Sequence, residues 1–178
     1  KVKTKVVWIN KWFDPPKEGE GAQSLLDQGC DVLLQNTDSS AVLQTAEKAG
    51  KYAFGWDSDM SKFGPKAHLG SAIINWGPWY KKAVKDALDG TWTTGKEWWG
   101  VKEGSIDLVN LSAAVPAELS AKIDELKGKL KDGSFHPWTG PIVDQDGKEL
   151  LKAGEKPTDE FLHGIKFYVK GVEGRVPG

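Results

Sequence analysis

Between Val2 and Asp57 the chain alternates short apolar runs with helical stretches, and this alternation restricts the fold more than any other feature. Val2 to Ile9 reads as a strand that ends in Asn10. Pro15 and Pro16 then open a helix, because proline fits a helix's first turn. Ala22, Leu25 and Leu26 make its apolar stripe, and Gly29 stops it. Val32-Leu33-Leu34 is a continuous apolar run, as expected of a parallel strand covered on both faces. Ser40 to Ala49 is the next helix, stopped by Gly50, and Tyr52 to Trp56 is the third strand, closing on Asp57. The βαβαβ order predicts an α/β fold with a parallel sheet and right-handed crossovers.

The alternation continues with a fourth strand from His68 to Ile74 and a helix from Pro78 to Leu88, stopped by Gly90. Beyond Gly95 the texture loosens. Short strands are expected around Trp98-Trp99-Gly100 and over Ser105 to Leu108. Pro116 to Leu130 is an amphipathic helix with Leu119, Ile123, Leu126 and Leu130 at helical spacing. Pro137 to Pro141 is a rigid turn before Ile142-Val143, and Asp144-Gln145-Asp146-Gly147 a hairpin tip. A last helix is expected from Thr158 to Val169, started by Thr158 with Glu160 close behind. These elements divide into an α/β lobe over residues 1–110 and a C-terminal segment over residues 111–178.

Composition removes several function classes. Twenty-four basic and 25 acidic residues are mixed along the chain, which argues against nucleic acid as a partner, since that would need a basic face. The single cysteine, Cys30, permits no intrachain disulfide and sits just before an apolar strand, where a small buried thiol is commonplace. No segment approaches the ~20 apolar residues of a membrane-spanning helix, and no signal peptide is expected within these residues. The opening Lys1-Val2-Lys3-Thr4-Lys5-Val6-Val7 reads as a strand already under way, as in a processed fragment. His68, His136 and His163 are far apart, so no metal site is expected. Asp144, Asp146 and Glu149 fall short of a calcium loop. Nucleophile-elbow, phosphate-loop and dinucleotide-binding motifs are all absent, so no catalytic residue and no cofactor is assigned.

What remains is a group of polar and aromatic residues at strand ends. Asn10, Trp12 and Asp14 leave the first strand, Asn36, Thr37 and Asp38 the second, Trp56 and Asp57 the third, and Asn75 and Trp76 the fourth. Ligands of open α/β sheets bind beyond the carboxyl ends of the strands. Indoles stack on heterocycles, while carboxylates and amides take up ring N–H groups or sugar hydroxyls. The set therefore predicts a slot for a flat, polar molecule. Asp38 serves equally well as a cap for the following helix, and Trp92, Trp98 and Trp99 read as ordinary core aromatics among the nine tryptophans. The competing reading is a small α/β enzyme acting on a nucleoside or sugar, with Asp57 or Asp38 as its acid-base group.

Several segments together carry a family resemblance: Trp12-Phe13-Asp14-Pro15, Gly29-Cys30-Asp31-Val32 running into Thr37-Asp38-Ser39, Gly55-Trp56-Asp57-Ser58-Asp59, Ser71 through Gly77, Trp99-Gly100, and Phe135-His136-Pro137-Trp138-Thr139-Gly140-Pro141. In order and spacing the chain resembles the basic membrane protein (BMP) family of ABC-transporter substrate-binding proteins. The resemblance implies a type I periplasmic-binding-protein architecture, two α/β lobes that close on purine nucleosides or related bases. It further implies an ABC permease as partner and a periplasmic, or membrane-anchored extracellular, bacterial location with any lipid anchor outside this chain. By the same resemblance Trp12 is the aromatic that stacks on the purine and Asp57 the acid that holds ribose hydroxyls. Asn75 stands where some nucleoside-binding members carry a lysine, which leaves a free nucleobase as a live alternative. Trp56 and Trp76 add aromatic bulk nearby. The family is about twice as long, so the resemblance also implies that the N-terminal lobe is a missing partner and this chain the second lobe.

Overall fold

A computed structural model describes residues 2–176. A four-stranded sheet in the order β2-β3-β4-β5 organises the chain: β2 is Val32–Leu34, β3 Tyr52–Asp57, β4 His68–Ile74 and β5 Ile106–Val109. The first three strands run parallel, and β5 closes the edge antiparallel to β4. Helix α1 (Pro15–Asp27) leads into β2 and α2 (Ala41–Lys48) connects β2 to β3, and both cover the sheet, whereas β3 and β4 are joined by a short turn at Ser61–Phe63. Their starts have local causes: Asp14 caps α1 by accepting from the Lys17 amide, with proline in the first turn.

The core lies on one face only. Leu33, Ala53 and Ala67 meet Ala22, Val42, Leu43 and Ala46 there, and the small side chains let the helices sit close to the sheet. Burying Leu33 and Leu43 stabilises the fold by roughly 2 kcal/mol each. Gly55 is required on this face, because a Cβ there would lie 2.5 Å from Ser71 Oγ and 2.7 Å from Met60 Cβ. The opposite face, with Val32, Leu34 and Tyr52, is open to solvent.

The remaining elements are β1 (Thr4–Lys5), α3 (Gly77–Leu88), α4 (Ala117–Asp132), β6 (Ile142–Val143), β7 (Glu149–Leu151), α5 (Asp159–His163) and β8 (Val172–Glu173). The hairpin tip forms as expected, with β6 and β7 antiparallel and Gly147 at φ 87°. Three expectations differ. The first strand is two residues long and pairs in parallel with β8 instead of joining the main sheet. Val7 and Ile9 are used instead as packing on α1, with Ile9 Cδ1 occupying the space a side chain at Gly21 would fill. Trp98 and Trp99 form no strand. The final helix stops at Gly164, because the residues after it pair with the hairpin tip: Gln145 N donates to Tyr168 O and Lys170 N to Val143 O.

Candidate functional site

Parallel strands place their carboxyl ends on one rim, and three of the four expected exits lie there. Asp57 pairs with Ile73 on β4, two residues before Asn75, so Asp57 and Asn75 leave neighbouring strands at nearly the same level. Asp57 adopts φ 66° and Asn10 φ 57°. Non-glycine residues in this left-handed region are uncommon, and such conformations gather at functional sites.

The fourth exit arrives by another route. Although β1 lies outside the sheet, the Asp38 amide donates to the Trp12 carbonyl at 2.8 Å, docking the loop of residues 10–14 onto the loop after β2. Trp12 is 69% exposed and Phe13 66%. An indole so open, on a backbone so firmly placed, is free to stack on a planar guest. The capping alternative for Asp38 loses its support. Residue Ser40 is the N-cap of α2, the nearby turn is made by Ser39 Oγ accepting from the Ala41 amide, and Asp38 stays exposed.

A residue that the sequence reading passed over holds these loops together. Glu18 is 1% exposed. Its Oε1 accepts from the Asp14 amide at 2.9 Å. Its Oε2 accepts from Thr37 Oγ1 at 2.8 Å, Ser39 Oγ at 2.6 Å and the Ser39 amide at 3.3 Å. One carboxylate thus joins the Trp12 loop, helix α1 and the Asp38 loop. The signal was an acid one turn beyond Asp14-Pro15-Pro16, close to a capping-box spacing.

Asn75 is already engaged at both ends: Oδ1 accepts from the Gly77 amide at 3.1 Å and Nδ2 donates to Gly104 O at 3.2 Å. It thereby starts α3 and ties the end of β4 to the segment before β5. Trp76 follows, 59% exposed at the N-cap of α3. Both line a cleft of about 560 Å³ with Trp79, Trp92 and Trp99. Lys82 on its wall bonds Asp86 at 2.6 Å and lies 3.5 Å from Glu97, and the Asp86 hydrogen bond holds its ammonium above the usual lysine range. Trp92 and Trp98 are 56% and 58% exposed, so the expectation of core aromatics fails for both. Trp56 stands within β3 opposite Ala72, half-buried, one residue before the rim.

Among the described residues no three His, Cys, Asp or Glu side chains converge as metal ligands. A carboxylate, an imidazole and a hydroxyl do gather at Asp59, His68 and Ser71. His68 Nε2 lies 2.8 Å from Ser71 Oγ, but Ser71 is fully buried and its oxygen accepts from the Met60 amide. Asp59 is held below the usual carboxylate range chiefly by the Ser61 amide and bonds Asn110 Nδ2 at 2.5 Å. The group anchors the chain after β3, with the His68 and Ser71 side chains buried and Asp59 at the surface.

Burial holds the His68 imidazole below its ordinary 6.5, with the nearby Asp59 charge opposing the shift. Its unfolded form therefore takes up a proton first as the medium is acidified. Stability is expected to be flat above about pH 7 and to fall as pH drops below about 6.5. Thermal midpoints from pH 8 to 5 check this, and His68→Gln should flatten that segment of the curve. A midpoint that rises on acidification would contradict the assignment.

The sequence pattern of the family described as "ABC transporter substrate-binding protein PnrA-like" matches residues 1–135. The chain is 45% identical over 175 residues to a purine-binding protein of Brucella abortus, covering 98% of this chain and 50% of that protein. It is 32% identical over 174 residues to a Haloferax volcanii protein provisionally named an ABC-transporter glucose-binding protein, covering 97% of this chain and 42% of that one. The chain thus spans about half the length of the relatives it matches. Among solved structures, a transcriptional activator of the comK gene from Bacillus halodurans aligns with TM-score 0.67 at 22% identity, over 73% of this chain and 47% of that one. An ABC-transporter solute-binding protein from Conexibacter woesei aligns with TM-score 0.59 at 22% identity, over 73% and 44%. These structural likenesses bear on the fold, which is that of solute-binding proteins.

Proposed function

Since the chain belongs to the PnrA-like family of ABC-transporter substrate-binding proteins, we propose that it supplies one jaw of an extracytoplasmic receptor for a purine nucleobase, nucleoside or similar heterocycle. The observation that carries the reading is the rim. Trp12 is held to Asp38 by a backbone hydrogen bond, and Asp57 and Asn75 leave the next two strands at the same level. The name of the Brucella abortus relative supports a purine.

In this reading the ring lies against the Trp12 indole. Asp38 and Asp57 accept hydrogen bonds from its N–H groups or from ribose hydroxyls, and Asn10, Trp56 and Trp76 bound the slot. Asn75 brings no cation and spends its amide on Gly77 and Gly104, which favours a free base over a nucleoside. No bond is made or broken. The ligand stabilises a closed arrangement of two lobes, and an ABC permease reads that closure. Residues 1–110 form the lobe, and residues 111–178 are a C-terminal segment that crosses back towards the first lobe, with its β8 strand pairing with β1 on the way.

One lobe offers half of a cleft. Adenine or adenosine titrated into the 178-residue chain should quench tryptophan fluorescence and raise the melting temperature only at ligand concentrations above about 1 μM. A product assay with nucleoside should show no turnover. Turnover would replace this reading with the enzyme, and tight sub-micromolar binding by the chain alone would remove the half-cleft premise.

A further inference from the structure

Parallel strands are joined by helical crossovers and are covered by helices on both faces. Four strands spaced about 4.8 Å apart make a surface about 15 Å wide, and helices pack 8–10 Å apart, so each face takes two helices. The core face has its two, α1 and α2, which pack against each other. The other face has one. Helix α3 stands over its β4–β5 side, where Trp79 and Ala83 look across the aromatic cleft at Ile74 and Ile106.

The β2–β3 side of that face carries no helix and is exposed along β2 and at Tyr52, with Phe54 and Trp56 half-buried. Alternation along the strands puts Val32, Leu34, Tyr52, Phe54 and Trp56 there, with Leu34 76% exposed, Tyr52 42% and Val32 38%. Helix α3 has no buried residue and carries an exposed stripe of Tyr80, Val84 and Leu88 at intervals of four. Contiguous exposed apolar side chains mark interaction surfaces in soluble proteins. The relatives supply a candidate cover, because this chain corresponds to only 50% and 42% of their length.

We propose that the β2–β3 side of this face seats an amphipathic α-helix from the part of the two-lobed protein that this chain does not span, lying beside α3. A helix is the occupant because a second sheet, as in a face-to-face dimer of this chain, would need to approach to about 10 Å along the whole face. Helix α3, itself about 10 Å across, blocks that approach. This seam meets the ligand rim only at Trp56, and its test involves no purine, so the two readings fail independently.

The test compares Leu34→Asp in two settings: the 178-residue chain, and one polypeptide in which this chain replaces the matching half of the Brucella abortus relative. In the chain alone, Leu34 faces water, and the substitution should leave the thermal midpoint within about 1 °C and sedimentation monomeric. In the joined protein it should lower the midpoint by about 5 °C or more, as expected when a charge replaces a buried leucine. Hydrogen exchange across residues 32–34 and 52–56 should be at least 10-fold slower in the joined protein. Equal small effects in both settings, with unaltered exchange, would overturn the proposal. So would a dimer of the chain alone that Leu34→Asp disperses, which would make a second copy the occupant.

Discussion

Replacing Glu18 with alanine should lower the stability of the chain by about 3 kcal/mol, close to 1.5 M in the urea midpoint. The argument rests on what the carboxylate satisfies. Four donors from Asp14, Thr37 and Ser39 converge on its two oxygens, and the side chain is 1% exposed. Hydrogen bonds to a charged acceptor contribute about 1.5–3 kcal/mol each, and part of this is recovered as water reaches Thr37 and Asp14 once the side chain is gone. Glu18→Gln keeps the shape and one acceptor, and should cost about half as much. The variant should also free the Trp12 loop, seen as a loss of near-ultraviolet circular dichroism from its indole before global unfolding. A loss below about 1 kcal/mol for the alanine variant would mean that the loops are held by something else, with Asp38 N to Trp12 O the next contact to test.

The second large effect concerns the ligand. In a two-lobed protein containing this chain, Trp12→Ala should weaken purine binding about 30-fold, near 2 kcal/mol, while Trp12→Phe should cost less than about 5-fold. Stacking on a planar ring is retained by phenylalanine and lost with alanine. The 69% exposure of Trp12 means that its removal leaves the core intact, so the thermal midpoint without ligand should stay within about 1 °C. That separation distinguishes a contact residue from a structural one. Asp57→Ala should weaken binding about 10-fold by removing an acceptor at the rim. Unchanged affinity in both alanine variants would place the purine elsewhere, and the cleft beside Trp76 would then be the next place to probe.

Much of the lobe is legible in local patterns. The three parallel strands, the helix α1 that leads into them and the helix α2 between the first two follow from apolar runs, prolines at the start of α1 and glycines at the stops. The hairpin at Asp144 to Gly147 follows from turn chemistry. The pattern failed where partners are distant in sequence. Val2 to Ile9 has the composition of a strand, but its apolar residues found α1 and its backbone found β8. Thr158 caps a helix as expected, yet pairing of Tyr168 and Lys170 with the hairpin outcompetes its continuation.

The candidate site divides along the same line. That Asp57, Asn75 and Trp76 share a rim follows from strand direction alone. Parallel order and the apolar period, both short-range properties of the chain, are sufficient to specify it. That Trp12 reaches Asp38, that Glu18 is the buried tie, and that the β2–β3 side of one sheet face is left exposed were decided by the tertiary structure. The reason is physical: a residue's propensity is set by its near neighbours, whereas the identity of a hydrogen-bond partner or a covering helix depends on which segments compaction brings together.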